Sequence, residues 1–131
     1  MSELALPKVD KNVLSKKPLI VSDLKKIINK DNVLSDADEI KPYETDALAA
    51  YKNTPLAVVL PENTQEVSEI LKYCNNENIK VIPRGAGTGL SGGALPLNDA
   101  ILLGLGKFNK ILDIDFNNNC VVTQPGVIIY Q

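Results

Sequence analysis

Residues 83–96 read PRGAGTGLSGGALP, and this stretch, the glycine loop, holds five of the chain's eight glycines. Glycine loses more backbone entropy on folding than any other residue, so a dense cluster needs a physical reason. The usual reason is that bare backbone N–H groups approach a bound anion, most often a phosphate. Ala86, Leu90, Ala94 and Leu95 are interleaved with the glycines, which favours a packed loop over a flexible hairpin.

The segment before the glycine loop has the pattern of a strand, a helix and a second strand. Residues 56–60 form a short apolar run, as in a buried strand. Asn63 lies three residues before Glu66, which is typical of a helix N-terminus. A helical apolar face then extends to about residue 76, carried by Val67, Ile70, Leu71 and Cys74. Residues 79–82 predict a second strand, parallel to the first with a right-handed crossover.

The flanking regions give weaker patterns. Ser22 is the expected N-cap of a helix that ends at about Asn29. After the glycine loop, residues 100–105 predict a strand, and the runs 111–115 and 120–124 predict a hairpin joined by an asparagine-rich turn. The carboxylates in the first of these runs, Asp113 and Asp115, are expected to face outward.

Composition excludes several classes of function. The net charge is −2, without a basic block, so nothing indicates binding to nucleic acid or to an anionic membrane. No apolar run reaches transmembrane length, and the N-terminus lacks the pattern of a signal peptide, which favours the cytoplasm. The chain has no histidine, which excludes a Ser-His-Asp or Cys-His centre, and its two isolated cysteines do not form the ligand pattern of a zinc site. Cys74 and Cys120 are expected to be small buried apolar residues.

Two nucleotide-binding loops compete as interpretations of the glycine loop. Residues 87–92 read GTGLSG, the G-x-G-x-x-G string of a dinucleotide-binding Rossmann fold. That fold needs a helix to begin inside the motif, and Pro96 and the lack of a helical apolar face argue against one. A P-loop needs a lysine after the glycines, and none occurs between Lys80 and Lys107.

The glycine loop resembles the flavin pyrophosphate loop of FAD-linked oxidases of the vanillyl-alcohol oxidase superfamily, which have a PCMH-type (p-cresol methylhydroxylase-type) FAD-binding domain. Within that superfamily it is most similar to the group of the bacterial glycolate oxidase FAD subunit (GlcD) and the D-lactate dehydrogenases. Four further stretches carry the resemblance, namely residues 42–46, 55–61, 107–115 and 124–127.

The resemblance implies an α+β fold and a cofactor. Residues 54–131 would be the first part of a PCMH-type domain, an α/β subdomain, and residues 1–53 a helical and extended lead-in. FAD would lie with its pyrophosphate on the glycine loop. The implied FAD-binding residues are Pro83, Arg84, Gly85, Ala86, Gly87, Thr88, Gly89, Leu90, Gly92 and Gly93, with Pro61, Pro125 and Gly126 at the edge of the site.

Two details of the implied site concern single residues. Some relatives bind flavin covalently through a histidine at the position that matches Thr88, and because this chain has no histidine we expect non-covalent FAD. Arg84, the only arginine, faces either the phosphates or a structural ion-pair partner, and the sequence leaves both open.

The activity implied for a full-length protein is oxidation of a small 2-hydroxy acid, with hydride transfer to flavin and electron transfer to a quinone or partner subunit. Family resemblance places the catalytic base beyond residue 131, so no catalytic residue is predicted here. The apolar segment 127–130 at the chain end predicts an N-terminal piece of a longer protein. The alternatives are a non-catalytic module or remnant of such a protein and, third, a nicotinamide-binding domain.

Overall fold

The computed structural model describes residues 7–128. The helices are α1 (Lys11–Ser15), α2 (Lys17–Ile27), α3 (Ala37–Ile40) and α4 (Thr64–Asn76). The strands are β1 (Val33–Leu34), β2 (Ala57–Val59), β3 (Lys80–Arg84), β4 (Ala100–Gly104), β5 (Ile111–Asp115) and β6 (Cys120–Thr123). Short 3₁₀ turns lie at Lys30–Asn32 and Lys41–Tyr43. Of the apolar segment noted at 127–130, residues 129 and 130 lie outside the described part of the chain.

The main sheet has four strands in the order β1-β2-β4-β3. Strands β2 and β3 both pair in parallel with β4, and β1 pairs antiparallel with β2. The predicted strand–helix–strand unit is therefore confirmed, although β4 lies between its two strands. All five residues of β4 are buried, as expected of a central parallel strand covered on both faces.

The core is divided by the sheet. On one face, α2 and α4 pack against alternate strand residues, with Leu24 and Ile70 fully buried. On the other face, Ile40 of α3 packs against Val58 and Leu102. Asn63 caps α4 as predicted, because its side chain accepts a hydrogen bond from the Glu66 N–H at 2.9 Å.

Three sequence predictions are wrong in detail. Ser22 lies inside α2, which begins at Lys17 because Pro18 occupies the first turn, where a proline is tolerated. Leu71 is 44 % exposed, whereas Ile70 and Cys74 of the predicted face are buried and Val67 packs half-buried against the core. Cys120 is exposed at the start of β6 and is not a buried apolar residue.

Strands β5 and β6 form the predicted hairpin as a separate two-stranded sheet. Asp113 is exposed as expected, and Asp115 is half-buried because it closes the asparagine turn. Its carboxylate accepts hydrogen bonds from the Asn117 and Asn118 N–H groups, and the contact with the Asn118 side chain lowers the pKa of Asp115. The turn is thus held by local hydrogen bonds.

Candidate functional site

The candidate site lies where the three parallel strands end. The glycine loop continues directly from β3, Pro61 follows β2, and a turn from Leu105 to Phe108 follows β4. The Leu105 N–H donates to the Arg84 carbonyl at 2.8 Å, which joins the last turn to the start of the glycine loop. Ligands of open α/β sheets commonly bind at this carboxyl edge.

No helix follows the glycines: residues 85–99 contain neither helix nor strand. This backbone lacks the helix N-terminus that a Rossmann pyrophosphate site requires, so the nicotinamide alternative loses its structural basis. Leu95 and Pro96 are buried, whereas Leu90 is 73 % exposed. The expectation of a packed loop is therefore right for its end and wrong for its tip.

The loop glycines fall into two groups. Gly87 and Gly92 have φ angles of +73° and +75°, so their own backbone conformation calls for glycine. Gly85, Gly89 and Gly93 have no such conformation, and a Cβ atom added to any of them would meet no protein atom closer than 4.0 Å. The described protein gives no reason for glycine at these three positions, and their faces are open.

One side of the glycine loop is held by residues 43–48, which we call the bracket segment. The Ala47 N–H donates to the Gly87 carbonyl at 2.9 Å. Arg84 Nη1 donates to the Thr45 carbonyl at 2.6 Å, and the guanidinium lies 5.7 Å from the centre of the Tyr43 ring. Of the two alternatives predicted for Arg84, the ion pair is not formed, because among residues 7–128 no carboxylate lies within salt-bridge distance of it.

Asp46 lies at the centre of the bracket segment and is only 6 % exposed. Its Oδ1 accepts a hydrogen bond from the Leu48 N–H at 2.9 Å. Its Oδ2 is buried and accepts none from the described residues. A buried acceptor without a donor costs on the order of 1–3 kcal/mol, so a donor supplied here would be stabilising.

The predicted edge residues behave differently from one another. The Gly126 N–H donates to the Phe108 carbonyl at 2.8 Å, and the carbonyls of Leu105 and Phe108 leave no space for a Cβ at Gly126. The Pro125 carbonyl lies 4.0 Å from the place of a Cβ on Gly85, which brings residues 125–126 beside the start of the loop. Pro61 is fully buried at the end of β2.

A polar cluster braces the same end of the sheet. Lys107 Nζ donates to the buried Asn32 Oδ1 at 2.6 Å and to Glu62 Oε1 at 2.7 Å. The hydrogen bond from Lys107, with a second from Asn32, lowers the pKa of Glu62. Two of the three N–H donors of the Lys107 ammonium are thus engaged within the protein.

The comparison with known families decides the class of ligand. Residues 55–131 match the family described as "FAD binding domain". The chain belongs to this family. The match includes β2 to β6 and the whole glycine loop, and it confirms FAD as the expected cofactor.

Individual relatives agree with the family. The chain is 42 % identical over 123 residues to the glycolate oxidase subunit GlcD of Escherichia coli, covering 94 % of this chain and 23 % of that protein. It is 38 % identical over 109 residues to a mitochondrial D-2-hydroxyglutarate dehydrogenase of Arabidopsis thaliana, covering 83 % and 20 %. The chain thus spans about a quarter or less of the length of these relatives.

A solved structure confirms the fold. A crystal structure of p-cresol methylhydroxylase with substrate bound matches with a TM-score of 0.74 and 28 % identity, over 95 % of this chain and 24 % of that one. The PCMH-type architecture expected from the sequence is therefore confirmed. No helix within residues 7–128 combines the length and apolar character needed to cross a membrane.

The described residues fit the pyrophosphate of a bound dinucleotide. The open faces of Gly85, Gly89 and Gly93 leave space for a bound group directly on the loop backbone, and exposed Thr88 adds a hydroxyl. The unpaired Oδ2 of Asp46 offers an acceptor for a hydroxyl or N–H group. Sequence reasoning missed the bracket segment as a support, because its contacts with the loop use mainly backbone groups. Its only signal was the family resemblance of residues 42–46.

Proposed function

We propose that the chain holds the pyrophosphate of FAD on the glycine loop, as the first part of the cofactor site of an oxidoreductase that acts on small 2-hydroxy acids. Glycolate, D-lactate and D-2-hydroxyglutarate are the substrates we infer from the similarity. The observation that carries the proposal is the open face of three loop glycines, Gly85, Gly89 and Gly93.

These glycines point to a ligand because they share one loop and no neighbouring protein atom explains them. Gly106 is equally open but stands alone outside the glycine loop. A β-carbon at any of the three positions would fit within the protein alone. It would keep a bound group away from the backbone N–H groups, however, and hydrogen bonds to phosphate oxygens need donor–acceptor distances of about 3 Å. A ligand that lies directly on the backbone gives all three positions the same reason to be glycine.

Within the proposal, the remaining predicted residues have limited roles. Pro83, Ala86, Leu90 and Gly92 shape the loop, and Pro125 with Gly126 borders its start. The exposed hydroxyl of Thr88 donates to a phosphate oxygen and, as no histidine is present, FAD is bound non-covalently. FAD supplies the redox chemistry, and these residues bind and orient it.

We further propose that residues 1–131 alone bind FAD weakly and catalyse no turnover. The similarity to a protein named as an oxidase subunit supports partner subunits, to which we assign electron transfer. For the whole protein we propose a cytoplasmic location, peripheral to the inner membrane through those partners. The open glycine face contacts one side of the cofactor, whereas tight sites bury about 70–90 % of a ligand's surface. We expect a Kd above about 1 µM, equivalent to less than about 8 kcal/mol of binding free energy.

Competition by parts of FAD tests the proposal. FAD binding to the chain is followed by flavin fluorescence while ADP or riboflavin is added. Because the glycine loop recognises the pyrophosphate, ADP is expected to compete and riboflavin is not. Competition by riboflavin alone, or an absence of FAD binding at millimolar concentration, would contradict the proposed role of the loop.

A further inference from the structure

We infer that Arg84 is a positioning residue that holds the glycine loop in its binding conformation through Gly87, and that it is not a phosphate ligand. This inference rests on the proposed function, because it assigns a role within the same FAD site. The positive charge at the start of the glycine loop is then not among the groups that contact the pyrophosphate.

The guanidinium of Arg84 is already engaged within the protein. Nη1 donates to the Thr45 carbonyl at 2.6 Å, and the planar group lies 5.7 Å from the centre of the Tyr43 ring. A distance within about 6 Å is the range of a cation–π contact. Moving the guanidinium to a phosphate would break the hydrogen bond and the ring contact together.

Gly87 occupies the space beside this guanidinium. A Cβ at Gly87 would overlap the terminal atoms of Arg84, with Nε at 2.8 Å. The φ angle of +73° turns the backbone so that the Gly87 carbonyl accepts the Ala47 N–H at 2.9 Å. The absent side chain at Gly87 therefore lets Arg84 lie across the loop backbone.

These contacts close a ring between the start of the glycine loop and the bracket segment. The chain from Arg84 leads to Gly87, the Gly87 carbonyl binds Ala47, and Thr45, two residues before Ala47, accepts the bond from Arg84. A ligand that finds its N–H donors already ordered loses less conformational entropy on binding. Arg84 is placed to order the loop backbone, since its side chain joins the glycine loop to the bracket segment.

The buried Asp46 in the same segment is consistent with this role. Its Oδ1 holds the turn through the Leu48 N–H, and no ion pair joins it to Arg84 among the described residues. The Leu48 side chain lies 3.6 Å from the place of a Cβ on Gly92, at the other end of the glycine run. The bracket segment thus lies beside both loop glycines that have a positive φ angle.

Amide hydrogen exchange in the ligand-free chain tests the inference first. In Arg84→Ala, exchange of the Ala47 N–H is expected to rise at least tenfold while the amides of β4 keep their protection. Lys52→Ala, which removes an exposed positive charge, is the control and should leave Ala47 unchanged. Unchanged Ala47 exchange in Arg84→Ala overturns the inference whether or not FAD binds.

A double-mutant cycle gives the second readout. Gly87→Ala should lower the urea midpoint, and it should lower it less in an Arg84→Ala background, because the guanidinium that obstructs the new Cβ is gone. Equal shifts in both backgrounds would contradict the contact on which the positioning role depends. Neither this readout nor the exchange measurement requires FAD.

The salt dependence of FAD affinity separates positioning from phosphate binding. We expect Arg84→Ala to weaken FAD binding about tenfold with an unchanged dependence on salt concentration. Loss of a phosphate ligand would instead flatten that dependence, because a direct charge contact would be gone. That result would overturn the inference, whereas failure of the unmodified chain to bind FAD would overturn the proposed function alone.

Discussion

Asp99 Oδ2 accepts hydrogen bonds from Lys80 Nζ at 2.6 Å and from the Asp10 N–H at 2.7 Å, although Asp99 is only 2 % exposed. The Asp99 carboxylate therefore joins the first residue of β3 to the N-cap of α1, at the end of the sheet opposite the glycine loop. Burial alone would raise the pKa of Asp99, but the hydrogen bonds from Lys80 and Asp10 outweigh it and lower the pKa.

Asp99→Asn should destabilise the chain at neutral pH. The substitution removes the charge from an acceptor that holds two donors, for an expected loss of about 1–3 kcal/mol in the free energy of unfolding. Urea denaturation of the variant measures the loss. Asp113→Asn, which changes an exposed carboxylate, is the matched control and should change stability by less than about 0.5 kcal/mol.

The same carboxylate predicts the direction of acid destabilisation. Because the folded-state pKa of Asp99 is lowered, its contribution is complete above the ordinary value of 3.8 and is lost as the pH falls through the folded-state pKa. We expect the urea midpoint of the unmodified chain to fall below about pH 4, and to fall less in Asp99→Asn. Parallel curves for the two proteins would show that Asp99 does not contribute.

Gly126→Ala should destabilise the chain without any ligand. The Leu105 and Phe108 carbonyls obstruct a Cβ at this position, and backbone atoms cannot move aside as a flexible side chain can. We expect a loss of about 1–3 kcal/mol in urea denaturation, as for overpacked sites. Gly106→Ala is the control, because nothing lies within 4 Å of a Cβ there. Equal stability of both variants would be incompatible with this close approach.

The two cysteines should differ in reactivity. Burial raises the pKa of the Cys74 thiol to about 11, whereas Cys120 is exposed on the hairpin. Since the thiolate is the reactive form, a thiol reagent at pH 8 should modify one cysteine in the folded chain and both in denaturant. Mass analysis should locate the single label on Cys120. A label on Cys74 in the folded chain would contradict its burial.

The order of elements from β2 to β6 was predictable from the sequence because it rests on local patterns, whereas α1, β1 and α3 were not predicted. The apolar run at 56–60 and the Asn63 cap are each defined by residues close together in the sequence, and the structure confirms both. The insertion of β4 between β2 and β3 was not predictable, since a pairing between distant strands leaves no local periodicity. Helix α2 begins at Lys17, with Pro18 in its first turn, and not after the predicted N-cap Ser22.

The candidate site was likewise predictable from the sequence only in part. Gly85, Gly89 and Gly93 were recognisable as a binding loop because their density has few other physical reasons. The support from Thr45 and Ala47 was not predictable, because any residue can supply a backbone carbonyl or N–H group. The placement of Arg84 depends on these partners, so sequence reasoning left its direction open. The domain boundary at residue 53 stays a prediction.

Asp46→Asn tests whether the cofactor uses the free acceptor in the bracket segment. Asparagine keeps an oxygen for the Leu48 N–H but places an amide group where Oδ2 lies. If a hydroxyl or N–H group of FAD binds there, affinity should fall about tenfold, equivalent to about 1.4 kcal/mol. Isothermal titration measures the change. Tighter FAD binding by the variant would instead show that the carboxylate repels the cofactor's phosphates.

The most direct test of the central claim is FAD affinity in Gly89→Ala and Gly93→Ala, beside Gly106→Ala. None of the three new Cβ atoms meets a protein atom within 4 Å, so all three variants should be as stable as the unmodified chain. We predict that FAD affinity falls at least about tenfold in the two loop variants and stays unchanged in Gly106→Ala. Unchanged FAD affinity in Gly89→Ala and Gly93→Ala would contradict the claim that the pyrophosphate lies on the glycine loop.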